Sequence, residues 1–398
     1  MQTNTRPNLL KVAWTVFALW AVVMLAVPFC LSVFAEPGSP FDTHLIDRDF
    51  ANYWVGGRSA LDGRFLLLFD QKTYFPLLKT VFGADYPLHN WGYPPHFLLL
   101  CVPLGLLSYG WAMFAFLGLT FVLFAFAAEV FRRQYAGQTS PGMLWLAVSG
   151  YVFLMLQIAQ NGFLTGALLL LTFAFMHRRT WVAGLALALL TTKPQLGFLV
   201  PLLALLDRNW GLLRWATIFT IALIALSIAV FGVESWRAYF ELTIPYQNYV
   251  MHGWYGGFLS MMPTTFGALR SLEYSPGTSF AVQWIVSALA FALLLRLVWT
   301  FRDPLDRICA VAVGTLLVTP YAFNYDMGAV SVIAAIMALR AHETRDPAMT
   351  IAFGALAVLP AAVAKLGLAG YPVAPLVIAA AFVTLWLRRT PLRNEPAA

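Results

Sequence analysis

Apolar runs of about twenty residues recur along this chain from near Val12 to Leu387, and that repetition constrains its fold more than any motif does. A run of this length is what an α-helix needs to cross the ~30 Å hydrocarbon core of a bilayer. Backbone N–H and C=O groups find no water there, so helices that satisfy their own hydrogen bonds are the expected elements. Composition agrees, with 60% of the 398 residues hydrophobic and 11% charged, where a soluble globule carries roughly 25% charged residues. The expected fold is an all-α polytopic membrane protein: one domain over 1–398, with a bundle of about twelve transmembrane helices and no stretch left for a separate soluble domain.

The expected spans begin with 12–34. A short and a long helix follow between 94 and 130, separated at Ser108, Tyr109 and Gly110. The rest fall at about 142–156, 163–176, 181–206, 213–231, 280–300, 307–318, 327–339, 350–364 and 372–387, and 181–206 is interrupted at 191–195. The net charge of +7 does not point to nucleic acid, because the basic residues sit in short loops and tails. Arg6 and Lys11 before the first span, with Arg388, Arg389 and Arg393 after the last, put both termini in the cytoplasm and make the number of crossings even. The first span is too long for a signal-peptide core and lacks a small-residue cleavage site, so it is expected to remain as an anchor. Two clusters oppose simple alternation, Arg132 with Arg133 and His177 with Arg178 and Arg179. Cys30, Cys101 and Cys309 all fall in apolar segments and form neither a disulfide frame nor a zinc motif.

Charge is concentrated in the first polar segment, 36–93, which on this topology lies outside the cytoplasm. It holds seven of the eighteen acids: Glu36, Asp42, Asp47, Asp49, Asp62, Asp70 and Asp85. Its 51–68 stretch mixes aromatic, aliphatic and charged residues at helical spacing, which suits helices lying in the membrane interface. A second polar segment, 232–279, carries Trp236, Tyr239, Tyr246 and Tyr249 and returns to the same side. A site between these two extracytoplasmic segments is expected.

Several residues could carry chemistry. Asp49, near the first membrane exit, suits a general base taking a proton from a hydroxyl at headgroup depth, with Asp42 and Asp47 as rivals and a solvated acid or helix cap as the plain alternative. Lys193 interrupts an apolar run, where an ammonium needs a partner or a wet cavity; a lipid phosphate fits, and so does snorkelling near a span end. Gln160 and Asn161, between two spans, could bond a sugar or cap the next helix. Asp326, after Tyr325, reads equally as a second active-site acid, a sugar contact or a favourable first-turn acid. No glycine-rich phosphate loop, zinc motif, nucleophile elbow or internal repeat is visible, and no metal site is expected.

The string DFANYWVGGRSALDG starting at Asp49 is followed by YPPHFLLLCVPLGLLS, QNGFLTGALLLLTFAF and GLALALLTTKPQLGFLVPLLALLDRNW. In that order the chain resembles glycosyltransferase family 87, multi-span enzymes of the GT-C superfamily related to polyprenyl-phosphate-mannose-dependent mannosyltransferases. The resemblance implies a GT-C-like bundle and a sugar donor carried on polyprenyl phosphate. It also implies inverting, metal-independent transfer without a cofactor on the extracytoplasmic face of the inner membrane. The family's first-loop base matches Asp49, and donor or phosphate contacts would include Tyr93, Asn161 and Lys193. Arg58 is a second candidate cation for the departing phosphate. Where mannosyltransferase members carry histidines, this chain reads Thr319-Pro320-Tyr321-Ala322-Phe323-Asn324-Tyr325-Asp326, which leaves the sugar open. The expected partners are a polyprenyl-phosphate hexose, a lipid or glycan acceptor of the envelope and membrane lipids, with no nucleic acid. The rival reading is a multi-span transporter or lipid flippase, for which a helix broken near Lys193 would be the site.

Overall fold

The computed structural model describes residues 49–84, 86–87, 89–253, 257–366 and 373–388. The expected first span and the rival acids Asp42 and Asp47 lie outside these residues. Among the described residues every regular element is helical, as expected. The first polar segment folds into α1 (Phe50–Leu61) and α2 (Gln71–Phe82), and an irregular stretch then leads to α3 (Leu98–Gly105). The bundle continues with α4 (Tyr109–Tyr135), α5 (Pro141–Ile158), α6 (Gly162–Phe175), α7 (Thr180–Leu189), α8 (Val200–Leu206) and α9 (Trp210–Ala238). Shorter helices α10 (Ile244–Gly253), α11 (Gly257–Ser260) and α12 (Thr265–Ser271) occupy much of the second polar segment. The chain ends in α13 (Pro276–Thr300), α14 (Pro304–Val318), α15 (Gly328–Glu343), α16 (Pro347–Leu366) and α17 (Val373–Leu387).

Helix α1 is docked rather than lying free in the interface. Phe50, Ala51, Asn52, Tyr53, Val55, Gly56, Gly57 and Ser59 are all buried, leaving Arg58 and Leu61 facing outward. Glycine makes this possible: a Cβ on Gly57 would stand 2.1 Å from the carbonyl oxygen of Cys101, and one on Gly105 would stand 2.5 Å from the carbonyl carbon of Gly57. The backbones of α1 and α3 therefore touch directly, which fixes Asp49 at the start of α1 relative to the bundle.

Five described helices are long and apolar enough to cross a membrane: α4, α5, Trp210–Gly253, α13 and Pro347–Ala364. Four shorter apolar helices, Pro95–Gly105, Gly162–Phe175, Thr180–Thr192 and Val373–Leu387, accompany them. Helices α14 and α15 are buried on nearly every face, the position that an all-round apolar helix requires. The helix lengths thus differ from the expected dozen full spans.

Two of the expected crossings turn back. With eight residues, α3 is only ~12 Å long and cannot span the hydrocarbon. The 181–206 stretch breaks where its proline lies: 3₁₀ turns Leu190–Thr192 and Pro194–Leu196 flank Lys193, whose φ of −135° and ψ of 74° leave the helical region. Helix α8 then returns to the end from which α7 started, since Asn209 Nδ2 donates to Met176 O at 2.5 Å.

That end carries a belt of polar contacts. Tyr135 Oη donates to Phe173 O at 2.7 Å. Asp207 meets Arg307 at 2.5 Å and His177 at 3.6 Å, Arg340 meets Asp303 at 2.7 Å, and Arg388 meets Asp306 at 2.9 Å. The clusters at Arg132 and His177, which oppose simple alternation in the sequence, fall in this belt with the other arginines. Their conflict disappears once α3 and 181–206 are no longer counted as crossings.

The opposite end gathers the first polar segment, Gln160, the Lys193 break and the segment after α14. Pro320 helps end α14, leaving late carbonyls to be satisfied from outside the helix. Gln283 Nε2 of α13 donates to Leu317 O at 2.9 Å, and Ser287 Oγ donates to Val318 O at 2.7 Å. This buried polar seam holds residues 319–327 in place.

Candidate active site

A cavity of about 350 Å³ opens at this end, and Asp49, His89, Tyr93, Gln160, Lys193 and Tyr325 are among the side chains that line it. Further walls come from the second polar segment through Tyr239, Gln247 and Phe258. The cavity lies between the two polar segments, where a site is expected.

Asp49 occupies the N-cap position of α1, yet its carboxylate does not cap that helix. Its Oδ1 lies 3.2 Å from His89 Nδ1, its Oδ2 accepts from Gln160 Nε2 at 2.9 Å, and 29% of the side chain is exposed. Burial pushes the carboxyl group up, but the hydrogen bond and charge of His89, the bond from Gln160 and the charge of Lys193 outweigh it. The net effect holds Asp49 below its ordinary value, so it is a carboxylate at neutral pH.

Gln160 is itself fixed. Its Oε1 accepts from Tyr53 Oη, from Asn161 N at 2.9 Å and from Tyr93 Oη at 3.4 Å. The Tyr53 and Tyr93 hydroxyls are 3.0 Å apart. Backbone geometry sets this turn, because Ala159 ends α5 in the left-handed region with φ 50°. Gly162 then lets α6 approach the 319–327 segment so closely that a Cβ there would lie 2.1 Å from Tyr325 O.

On another wall Lys193 Nζ donates to Asp326 Oδ1 at 2.6 Å and lies 4.6 Å from the centre of the Tyr325 ring. The second Asp326 oxygen accepts Phe323 N at 3.1 Å. A carboxylate, an ammonium and a ring of amides and phenols therefore face one space, an arrangement able to take a proton at one wall and steady an anion at another.

A family model for glycosyltransferase family 87 matches residues 91–320. The chain belongs to glycosyltransferase family 87. It is a membrane glycosyltransferase by that membership. No curated protein and no solved structure matches it. In this family 87 chain the matched stretch holds Tyr93, Gln160 and Lys193, while Asp49 and His89 precede it and Asp326 follows it.

The cavity takes up some of the residues expected from sequence and leaves others out. Asp49, Tyr93, Lys193 and Tyr325 line it. Asp326 does not, because both of its oxygens are turned to Lys193 and Phe323 and its side chain is fully buried. Arg58 stands exposed on the outer side of α1, 5.9 Å from the Trp54 ring, with Nη1 3.4 Å from Gly105 O, and it does not reach the cavity. Asn161 is also outside the lining, fully buried beside Gln160 with neither amide atom hydrogen-bonded.

Sequence reasoning missed His89, Asn52, Asn90 and Gln247, all of which line the cavity. Their hydrogen bonds hold the wall together: Tyr74 Oη donates to Asn52 Oδ1, Gln71 Nε2 to Asn90 Oδ1 at 2.7 Å, and Gln247 Nε2 to Gly92 O at 2.8 Å. The polar pair His89-Asn90 just before Trp91 signals two of them in the sequence, and nothing there singles out Asn52 or Gln247. Among the described residues no three His, Cys, Asp or Glu side chains gather as metal ligands.

Proposed function

We propose that the protein transfers a hexose from a polyprenyl-phosphate donor to a hydroxyl of an envelope lipid or glycan, inverting the anomeric carbon without a metal or cofactor. The observation that carries this reading is the pairing of Asp49 and Lys193 on the walls of one cavity. Asp49 removes the proton of the acceptor hydroxyl as its oxygen attacks the anomeric carbon, and Lys193 offsets the charge growing on the departing lipid phosphate. Because Asp326 already shares the charge of Lys193, the site suits the single negative charge of a phosphodiester. The amides and phenols supply hydrogen bonds for a neutral sugar.

A second cavity supports the reading of a lipid-linked donor. An apolar recess of about 370 Å³, lined by Leu187, Leu190, Phe198, Leu213 and Ile221, shares Pro194 with the polar cavity. An isoprenoid chain entering there would leave its phosphate beside Lys193. The arginine belt at the other end favours the cytoplasmic face, with both termini on that side and the cavity opening outside the inner membrane.

Purified protein in lipid nanodiscs, supplied with radiolabelled polyprenyl-phosphate hexoses and an envelope lipid extract, tests the proposal. Transfer of label to the extract with release of polyprenyl phosphate is expected. Uptake of donor into vesicles without chemical change would overturn it.

A further inference from the structure

We propose that the end of the bundle opposite Asp49 and Lys193 carries a site for the headgroup of an anionic membrane phospholipid. A cavity of about 790 Å³ opens there, between the end of α8 and the last turns of α13. Three arginines, Arg208, Arg302 and Arg307, line it together with one acid, Asp207. That excess of cations suits a phosphodiester, because a guanidinium presents paired N–H donors at the spacing of two phosphate oxygens. The site owes nothing to the reading of sugar transfer, and either can fail alone.

Arg307 of α14 bridges the two rims. Its Nη2 meets Asp207 Oδ1 at 2.5 Å, and its Nε donates to Val298 O of α13 at 3.0 Å. Asp207 is thereby occupied, with His177 a further 3.6 Å contact. It does not neutralise Arg208, which is exposed and whose side chain has no hydrogen bond or ion pair among the described residues. Arg208 follows the C-cap of α8 with φ 53°, in the left-handed region. Glycine fills that position with least strain, so an arginine there accepts backbone strain and sets a cation at the cavity. Elsewhere in the belt, Arg340 and Arg388 have acids of their own in Asp303 and Asp306.

The surroundings put the cavity at headgroup depth. Trp299 lines it and is 66% exposed, and Trp181 and Trp210, near the starts of α7 and α9 at the same end, are exposed as well. Exposed tryptophans at helix ends mark the boundary between hydrocarbon and headgroups. The lining is also two-sided, since Leu206 and Val298 add apolar surface beside the arginines. A soluble anion would use the arginines alone. A phospholipid uses both surfaces, its phosphate on the guanidinium groups and the first methylenes of its chains along α8 and α13, as basic pockets between membrane helices do.

The test uses the full chain, stripped of lipid in a neutral detergent and read by native mass spectrometry and thermal unfolding. The probes are phosphatidylglycerol, phosphatidylcholine of the same acyl chains, and inorganic phosphate. Phosphatidylglycerol is expected to stay bound and to raise the melting temperature, as a ligand of the folded state does, while the other two do neither. Arg208→Gln should weaken its binding about fivefold and Arg208→Gln/Arg302→Gln roughly 25-fold, the scale of one and two arginines at a membrane surface. Arg208→Gly should lose the same binding yet melt as wild type does in phosphatidylcholine, because glycine suits the φ of 53°. Arg296→Gln, an exposed cation of α13 outside the cavity, should bind as wild type does. Equal protection by inorganic phosphate would overturn the lipid assignment. Equal binding of the two lipids, or an equal loss in Arg296→Gln, would overturn the site.

Discussion

Lys193 and Asp326 form a buried ion pair at 2.6 Å across 133 positions of sequence, with side chains 8% and 0% exposed. The pair joins the break between α7 and α8 to the segment after α14, and only its lysine reaches the cavity. Removing one member leaves the other charged and buried, which costs about 3–5 kcal/mol, whereas replacing both with apolar residues is often neutral. Asp326→Ala should therefore be strongly destabilised in thermal unfolding. The double variant Lys193→Met/Asp326→Leu should regain most of that stability yet transfer no sugar. Recovery of activity in the double variant would show that the ammonium is structural alone.

Arg58 and Lys193 are rival cations in the sequence, and the fold separates them. With Arg58 exposed against Trp54 and away from the cavity, Arg58→Gln should keep kcat/KM within about twofold, as surface substitutions usually do. Lys193→Gln should lower it by about 10²-fold or more, the scale for losing one electrostatic stabiliser of a developing anion. Steady-state transfer assays on the two variants decide between them.

These two arginine and lysine positions also mark what could be read from the chain. The apolar runs and the proline beside Lys193 act locally, so the helices and the broken span are legible. The partner of Lys193 is not, because Asp326 looks like an ordinary first-turn acid until the fold brings it across the bundle. His89 is equally silent, since forty residues separate it from Asp49. The direction of the spans also misleads on first reading: α3 and 181–206 have the composition of crossings, and only their packing shows that they turn back.

The contact of α1 with α3 gives a third prediction. A Cβ at Gly57 would meet backbone atoms of Cys101 and Gly105 at 2.1–2.9 Å, and backbone cannot move aside as a flexible side chain can. Gly57→Ala should push α1 off α3, cost at least the ~1–3 kcal/mol typical of overpacking, and displace Asp49, lowering kcat as well as the melting temperature. Gly63 is the control: its φ is +69° but nothing lies within 4 Å of a Cβ there. Gly63→Ala carries only local backbone strain of roughly 1 kcal/mol and should retain transfer activity.

The depressed pKa of Asp49 makes a prediction about acid stability. Burial raises it, while His89, Gln160 and Lys193 together bring it below 3.8. A carboxyl lower in the folded than in the unfolded state adds stability that is fully present above the unfolded value and is lost as pH falls through the folded one. Wild-type protein should therefore lose melting temperature more steeply between pH 5 and pH 3 than Asp49→Asn, which has no such group to protonate. His89→Ala removes the largest lowering influence, so its decline should be shallower than that of wild type. Parallel slopes for wild type and Asp49→Asn in thermal scans would mean that the partners of Asp49 do not favour its charged form, and the case for a permanently ionised base would fail.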